Sequence, residues 1–372
     1  MAPQGEVEFF TDDGPVFAAD EDAVDFGRGQ VPRWAIVVAC ALALIAVLSV
    51  AVSRSHPKPA HVAVDKPVTV DDTVSEFGPA LRFDGGGADA LDALIHGNRL
   101  YVLRTGAISV VDLPTGDVQS LPLTGEYSIA AHSSARLVFD ADADRLWVLA
   151  PGSGSATVLE INAGRMLPIR HVTMHSVVRD AAAMGGHLYV ATPAGLADLS
   201  PGASTATLLP AVHGAVVAVA ADPARDRLLV LDAATPGSVV VVSAGRSRVR
   251  GHFAELSNAS IAIVGHEIWV GGFGRGGEGR SRAIVARLDP VTFAPLQSSQ
   301  VAAQVGQVVV SPGTRDVWLS TNTPGLWCVD AGTGHIRQHW PSGTVPVTSQ
   351  LGAAYAIEAG SVVPLVLKGC AG

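Results

Sequence analysis

The sequence predicts an all-β repeat domain behind one transmembrane α-helix. Two observations carry this. Residues 34–52 form a run of 19 without a charge, and a short aliphatic–aromatic β segment recurs seven times after residue 76. The 40 glycines and 23 prolines supply the turns that so many short strands require.

The elements follow in chain order. Residues 1–33 hold eight acids and two bases, a net −6 out of the −9 carried by all 372 residues. They show no helix or strand periodicity, and they read as an acidic, solvated, disordered tail. Aromatics lie among the acids at Glu8-Phe9-Phe10 and Val16-Phe17, which also suits a short docking motif for a cytoplasmic partner.

Residues 34–52, WAIVVACALALIAVLSVAV, are long enough as a helix to cross the hydrocarbon core of a bilayer. Arg33 and Trp34 mark one interface; Ser53, Arg54 and His56 mark the other. A cleaved signal peptide needs a basic start, and the preceding residues are acidic. Val37-Val38-Ala39-Cys40 has the look of a lipobox, but most of the apolar run follows Cys40 instead of preceding it. A retained signal anchor fits best. Arg28 and Arg33 on one flank and Arg54, Lys58 and Lys66 on the other leave the positive-inside rule evenly balanced. The short tail before the anchor places residues 1–33 in the cytoplasm and the large domain outside. Residues 53–75, with Pro57, Pro59 and Pro67, read as a stiff linker.

The repeats centre on Tyr101, Trp147, Tyr189, Leu229, Trp269, Trp318 and Tyr355, at a mean spacing of about 42 residues. A period of 40–50 residues built of short strands is the signature of a β-propeller, here seven-bladed over residues 76–370. Each unit opens on a small-residue strand such as Val216-Val217-Ala218-Val219-Ala220, suited to the crowded axis. A polar turn leads to the aromatic-centred strand; a third strand, a tight turn and an outer strand follow. Asp112-Leu113-Pro114-Thr115-Gly116 and Asp330-Ala331-Gly332-Thr333-Gly334 share one turn pattern, in which Asp accepts backbone N–H groups and Gly takes positive φ. The last unit lacks an outer strand, and residues 77–83 are expected to complete it.

At these turns the chain resembles the YVTN and quinoprotein-like seven-bladed propellers, over about residues 76–370. The resemblance implies a fold and no particular activity. WD-repeat propellers match less well, since no Gly-His…Trp-Asp pairs recur. A Trp four residues past the turn glycine is expected of quinoproteins, but Gln338 and Ser120 stand there. No Cys-x-x-Cys-His, G-x-S-x-G or H-E-x-x-H motif occurs. No cofactor, catalytic residue or metal is therefore assigned. The His pairs 171/175 and 335/339 lack further ligands in the sequence pattern.

Propeller ligands enter at the channel mouth, and the candidate ligand-binding residues are His175, Arg179 and His213 in entry loops. Arg275, Arg280 and Arg282 join them from the glycine-rich loop 271–282. That loop holds a G-x-G-x-x-G string, but strand-like alternation follows where a dinucleotide site needs a helix. Cys328 and Cys370 fall in neighbouring units and are candidates for a disulfide in an oxidising compartment.

The acidic balance argues against nucleic acid. Three lysines against 22 arginines, with abundant Ala, Gly and Val, suggest a GC-rich bacterial, actinobacterial-like genome. The expected function is a non-enzymatic binding scaffold in the cell envelope: a single-pass protein of the cell membrane, with the propeller extracytoplasmic and an unknown protein or envelope ligand as partner. The alternative is a propeller-type lyase or hydrolase acting at the channel mouth.

Overall fold

A computed structural model describes residues 63–64, 69–75, 78–82, 90–127, 135–232, 237–243, 246–253, 256–264, 266–275, 281–301, 305–310, 316–321, 326–330, 336–340, 345–346, 348–349, 355–358 and 361–364. The chain divides after Lys58, and every described residue belongs to the second unit. The acidic tail and the apolar run 34–52 lie outside the described residues. Among the described residues no helix is long and apolar enough to cross a membrane.

The described strands fall into seven sheets. Sheets 1 to 6 are each built on an antiparallel meander of four strands in chain order. Sheet 1 contains Ala90–His96, Arg99–Arg104, Ala107–Asp112 and Val118–Pro122. Sheet 2 contains Arg136–Asp140, Arg145–Pro151, Ala156–Asn162 and Leu167–Met174. Sheet 3 contains Asp180–Met184, His187–Thr192, Gly195–Leu199 and Thr207–His213. Sheet 4 runs from Val216–Asp222 through Arg227–Asp232 and Gly237–Ser243 to Arg246–Phe253. Sheets 5 and 6 open on Leu256–Val264 and Val305–Val310. The order is that of a β-propeller, in which each sheet stacks on the next.

Burial follows from that stacking. Second strands are covered on both faces: Leu146, Trp147, Val148 and Leu149 are all buried. The outer strand Leu167–Met174 alternates toward its end between buried Val172 and Met174 and exposed His171 and Thr173. Four apolar clusters each span a sheet boundary. Tyr101 and Leu103 pack with Leu146 and Val148 between sheets 1 and 2. Trp147 and Val158 meet Leu188 and Val190 between sheets 2 and 3. Leu196 joins Val230 between sheets 3 and 4, and Leu229 joins Ile268 and Phe293 between sheets 4 and 5. The aromatic-centred strands thus supply the glue between repeats, because a large flat side chain buries much area on a neighbouring sheet.

The turn chemistry works as the residues require. Asp112 Oδ1 accepts the Thr115 N–H at 3.1 Å, and the Gly116 N–H bonds the Asp112 carbonyl at 2.7 Å with φ of +74° at Gly116. The same turn recurs with other residues. Asn162 Oδ1 accepts the Arg165 N–H and Met166 takes φ +51°; Asp289 Oδ1 accepts from Val291 and Thr292, and Phe293 takes φ +61°.

An early strand and a late strand meet in sheet 7. Gly78–Arg82 pairs antiparallel with Ser361–Pro364, Leu81 opposite Val362, so the early strand completes the last sheet. Two stretches within 53–75 are strands and not linker. Thr69–Ser75 adds outside Gly78–Arg82, and Ala63–Val64 pairs with Val118–Pro122 of sheet 1. Thr348 and Ser349 pair in parallel with Leu94 and Ile95, joining the C-terminal segment to the first inner strand.

Candidate functional site

The inner strands set one level of the fold in register. Leu94, Val138 and Ala182 lie opposite the aromatic centres Tyr101, Trp147 and Tyr189. Two residues earlier, at one common level toward the entry loops, stand Asp92, Arg136 and Asp180. Three successive inner strands therefore carry acid, base and acid at equivalent places. Ala218, Ser260 and Gln307 continue the level in sheets 4 to 6.

Both carboxylates tie their sheet to the next. Asp92 Oδ2 accepts the Leu137 N–H at 2.6 Å, and Asp180 Oδ2 accepts the Val219 N–H at 3.0 Å. Burial raises the pKa of each to about 6, although Arg136 and the backbone N–H bonds pull the other way. A raised carboxyl suits acid–base chemistry, but here each is already committed to a neighbouring strand.

Other buried acids serve the same end. Asp140 accepts the N–H groups of Asp142 and Ala143 in its own turn, and of Gly186 in sheet 3. Asp222 binds Arg225 at 3.0 Å and Arg227 at 2.8 Å. Arg227 extends to the Pro290 carbonyl of sheet 5. Glu160 pairs with Arg145 and Arg170, and Arg170 also bonds the Ser200 and Ala203 carbonyls of sheet 3. Among the described residues no group of three His, Cys, Asp or Glu could hold a metal ion.

The entry rim of sheet 3 is different. From Met174 the crossover alternates: Met174 and Val178 are buried, while His175, Val177 and Arg179 are exposed. The Arg179 N–H bonds the Ala191 carbonyl, and His213 pairs with Gly195 at the far edge of the sheet. Thr192, Gly195 and His213 form one row across the second, third and outer strands, and Arg179 lies beside Ala191 just before the inner strand. Inner and outer strands are three strand spacings apart, roughly 14 Å. Exposed Pro193 and Ala194 fill the turn between Thr192 and Gly195. His175 thus follows the outer strand of sheet 2, Arg179 precedes the inner strand of sheet 3, and His213 ends the outer strand of sheet 3.

Of the arginines of the glycine-rich stretch, the two described stand elsewhere, in sheet 5. Arg275 and Arg282 lie in a hairpin of Glu267–Arg275 with Ser281–Leu288, and Arg280 lies outside the described residues. The loop expected over 271–282 is mostly strand. Gly271 and Gly272 do not break it, because they are buried and paired with Val285 and Ile284. Cys328 is fully buried and disulfide-bonded; Cys370 lies outside the described residues.

No family model and no curated protein matches the sequence. Solved structures do resemble the fold. The β-propeller domain of Cps50 (Swd1) from Myceliophteria thermophila superposes with a TM-score of 0.56 at 14% identity, covering 82% of this chain and 99% of that one. Hydrazine synthase from Kuenenia stuttgartiensis gives 0.56 at 14%, covering 76% and 96%. The WD40 repeats of RRP9 give 0.55 at 14%, covering 82% and 100%. At such identity the likeness establishes the β-propeller fold and nothing of the chemistry. WD40 propellers appear among these neighbours although the Gly-His…Trp-Asp pairs are missing.

Proposed function

We propose that this chain is a bacterial membrane-anchored scaffold: a seven-bladed β-propeller of the YVTN/quinoprotein-like kind, held outside the cell membrane by a helix at 34–52, with residues 1–33 in the cytoplasm. The propeller binds a protein or envelope ligand at its entry face and performs no reaction. One observation carries the binding reading. The buried acids are spent on ties between sheets, whereas His175, Val177 and Arg179 stand exposed along the crossover from sheet 2 into sheet 3, and His213 stands exposed at the end of the outer strand of sheet 3. The turn around Asp112 and Gly116 supports the kinship, and the uncharged length of 34–52 supports the anchor.

The test is site-specific photo-crosslinking in cells. A photoreactive residue at 177 is expected to capture a discrete partner, and one at the exposed Val291 turn is not. Equal adducts from both positions would sink the reading. Protease added to intact spheroplasts is expected to degrade the propeller; full protection would reverse the orientation.

A further inference from the structure

We propose that the outer edge of sheet 4 binds an extended polyanion, a polymer with a phosphate in each repeat, through Arg246 and Arg248. The scaffold reading enters only in placing the propeller in the envelope, where it meets that polymer.

The distribution of charge over the strands motivates this. The outer strands of sheets 1 to 6 are Val118–Pro122, Leu167–Met174, Thr207–His213, Arg246–Phe253, Pro295–Val301 and Ile336–Trp340. Their forty residues hold five arginines and four histidines but no Asp or Glu. Acids stand further in: Asp92, Asp140, Asp180 and Asp222 on inner strands, Asp112, Glu160 and Asp198 on third strands. Charged side chains blunt an open edge against self-pairing, and acids would serve that end too. Only one sign is used here.

The bias is concentrated in sheet 4. Residues 233–254 contain Arg246, Arg248, Arg250 and His252 and no acid. Three of the five outer-strand arginines thus stand on one strand, whereas Arg170 of sheet 2 is spent on Glu160 and a carbonyl of sheet 3. Residues 34–372 carry 23 bases and 26 acids, so the balance of −3 conceals a local +3.

Geometry gives the patch its shape. Arg246, Ser247 and Arg248 are all exposed. Arg246 lies opposite Ser243 and Arg248 opposite Val241, so the two arginines share one face of the strand, roughly 7 Å apart along it. Their strand ends its sheet, with one edge unpaired among the described residues. Charge at every second residue along an open edge fits a linear partner of repeated charge better than a single ion. Phosphate takes guanidinium through two parallel charge-assisted bonds. In the seven-bladed reading, sheet 4 lies opposite the junction of sheets 7 and 1, where the strands that follow the anchor join. That position favours a polymer of the envelope over the lipid surface.

The experiment uses the full chain in micelles of a neutral detergent. Fluorescein-labelled inorganic polyphosphate is the probe; unlabelled polyphosphate, poly-L-glutamate and phosphatidylglycerol vesicles are the competitors. Polyphosphate is expected to bind, with log affinity falling linearly against log salt as counterions are released. Arg246→Gln with Arg248→Gln is expected to weaken binding at least about tenfold at low salt and to flatten the salt slope by about 1.4, the value for two contacts to a single strand. The thermal midpoint is expected to stay unchanged, since both side chains are exposed. Arg165→Gln with Arg179→Gln removes the same charge from exposed arginines off the outer strands and is expected to leave affinity and slope intact. Absent polyphosphate binding, equal loss in both double variants, or stronger competition by poly-L-glutamate or the vesicles than by polyphosphate would overturn the proposal. Crosslinking at 177 reports the scaffold reading separately. Adducts that persist beside failed polyphosphate binding leave that reading standing, and adducts lost beside intact binding sink it alone.

Discussion

The Asp92 carboxylate accepts the backbone N–H of Leu137 at 2.6 Å across a sheet boundary. Asp180 repeats the contact to Val219 two sheets further on. Each inner strand so joined is held to its neighbour by a hydrogen bond as well as by apolar packing. In a repeat fold, where every unit touches only its neighbours, such ties act where cooperativity is decided.

Removing the acceptor leaves a strand N–H without its partner. Asp92→Ala and Asp180→Ala are each expected to cost about 1–3 kcal/mol. Asp92→Asn keeps an oxygen in place and is expected to stay within about 1 kcal/mol of the parent. Denaturant titration of the three variants checks this; an Asp92→Ala protein as stable as the parent would remove the tie from the account.

The same two groups set a pH dependence. In the unfolded chain their carboxyls titrate near 4; in the folded chain both titrate at about 6. Between these values the folded state holds the extra protons. Stability contributed by Asp92 and Asp180 is therefore present at low pH, falls as pH rises from 4 to 6, and levels off above. The thermal midpoint of the parent, measured against an Asp92→Asn/Asp180→Asn double variant, is expected to lose ground across that window. Parallel curves would contradict the sign.

Much of the fold was legible and much of the site was not, for physical reasons. The turn at Asp112 announces itself because Gly116 is the residue that takes positive φ freely. The equivalent turns at Asn162 and Asp289 hide, because Met166 and Phe293 stand in the glycine's place. Both are nearly fully buried, so packing offsets the strained backbone. Asp92 and Asp180 are hidden in the sequence because their roles lie in register: each sits two residues before the position opposite an aromatic centre. Counting back from Tyr101 and Tyr189 was the available signal. Repeat spacing reaches only the position of Arg179 and His213 near strand ends of sheet 3; what such side chains bind is set by chemistry that spacing does not encode.

Gly195 tests the rim directly. It adopts φ of +144°, and a Cβ there would lie 2.6 Å from the Val212 carbonyl oxygen. Backbone cannot yield as a flexible side chain can. Gly195→Ala is expected to destabilise by about 1–3 kcal/mol and to displace the strand that carries His213, weakening crosslinking at 177 before the domain unfolds. An alanine variant with parental stability and parental crosslinking would show that the close approach is not needed.

Cys328 offers the last test. It lies in Leu326–Asp330 of sheet 6, is buried, and is disulfide-bonded. The sequence contains two other cysteines, Cys40 and Cys370. Cys40 sits within the run 34–52, and a span crossing the bilayer would keep it away from sheet 6. Cys370 follows Ser361–Pro364 of sheet 7 by a few residues. A 328–370 bridge closes a loop of about 42 residues, for which chain entropy gives roughly 4 kcal/mol. It would pin the C-terminus beside the sheet that the N-terminal strand Gly78–Arg82 completes. Cys370→Ala is therefore expected to lower the thermal midpoint, and a non-reduced digest to contain one peptide pair joining residues 328 and 370. A pair joining 328 to 40 would refute both the bridge and the membrane span, since one cysteine cannot lie in the bilayer and in sheet 6 at once.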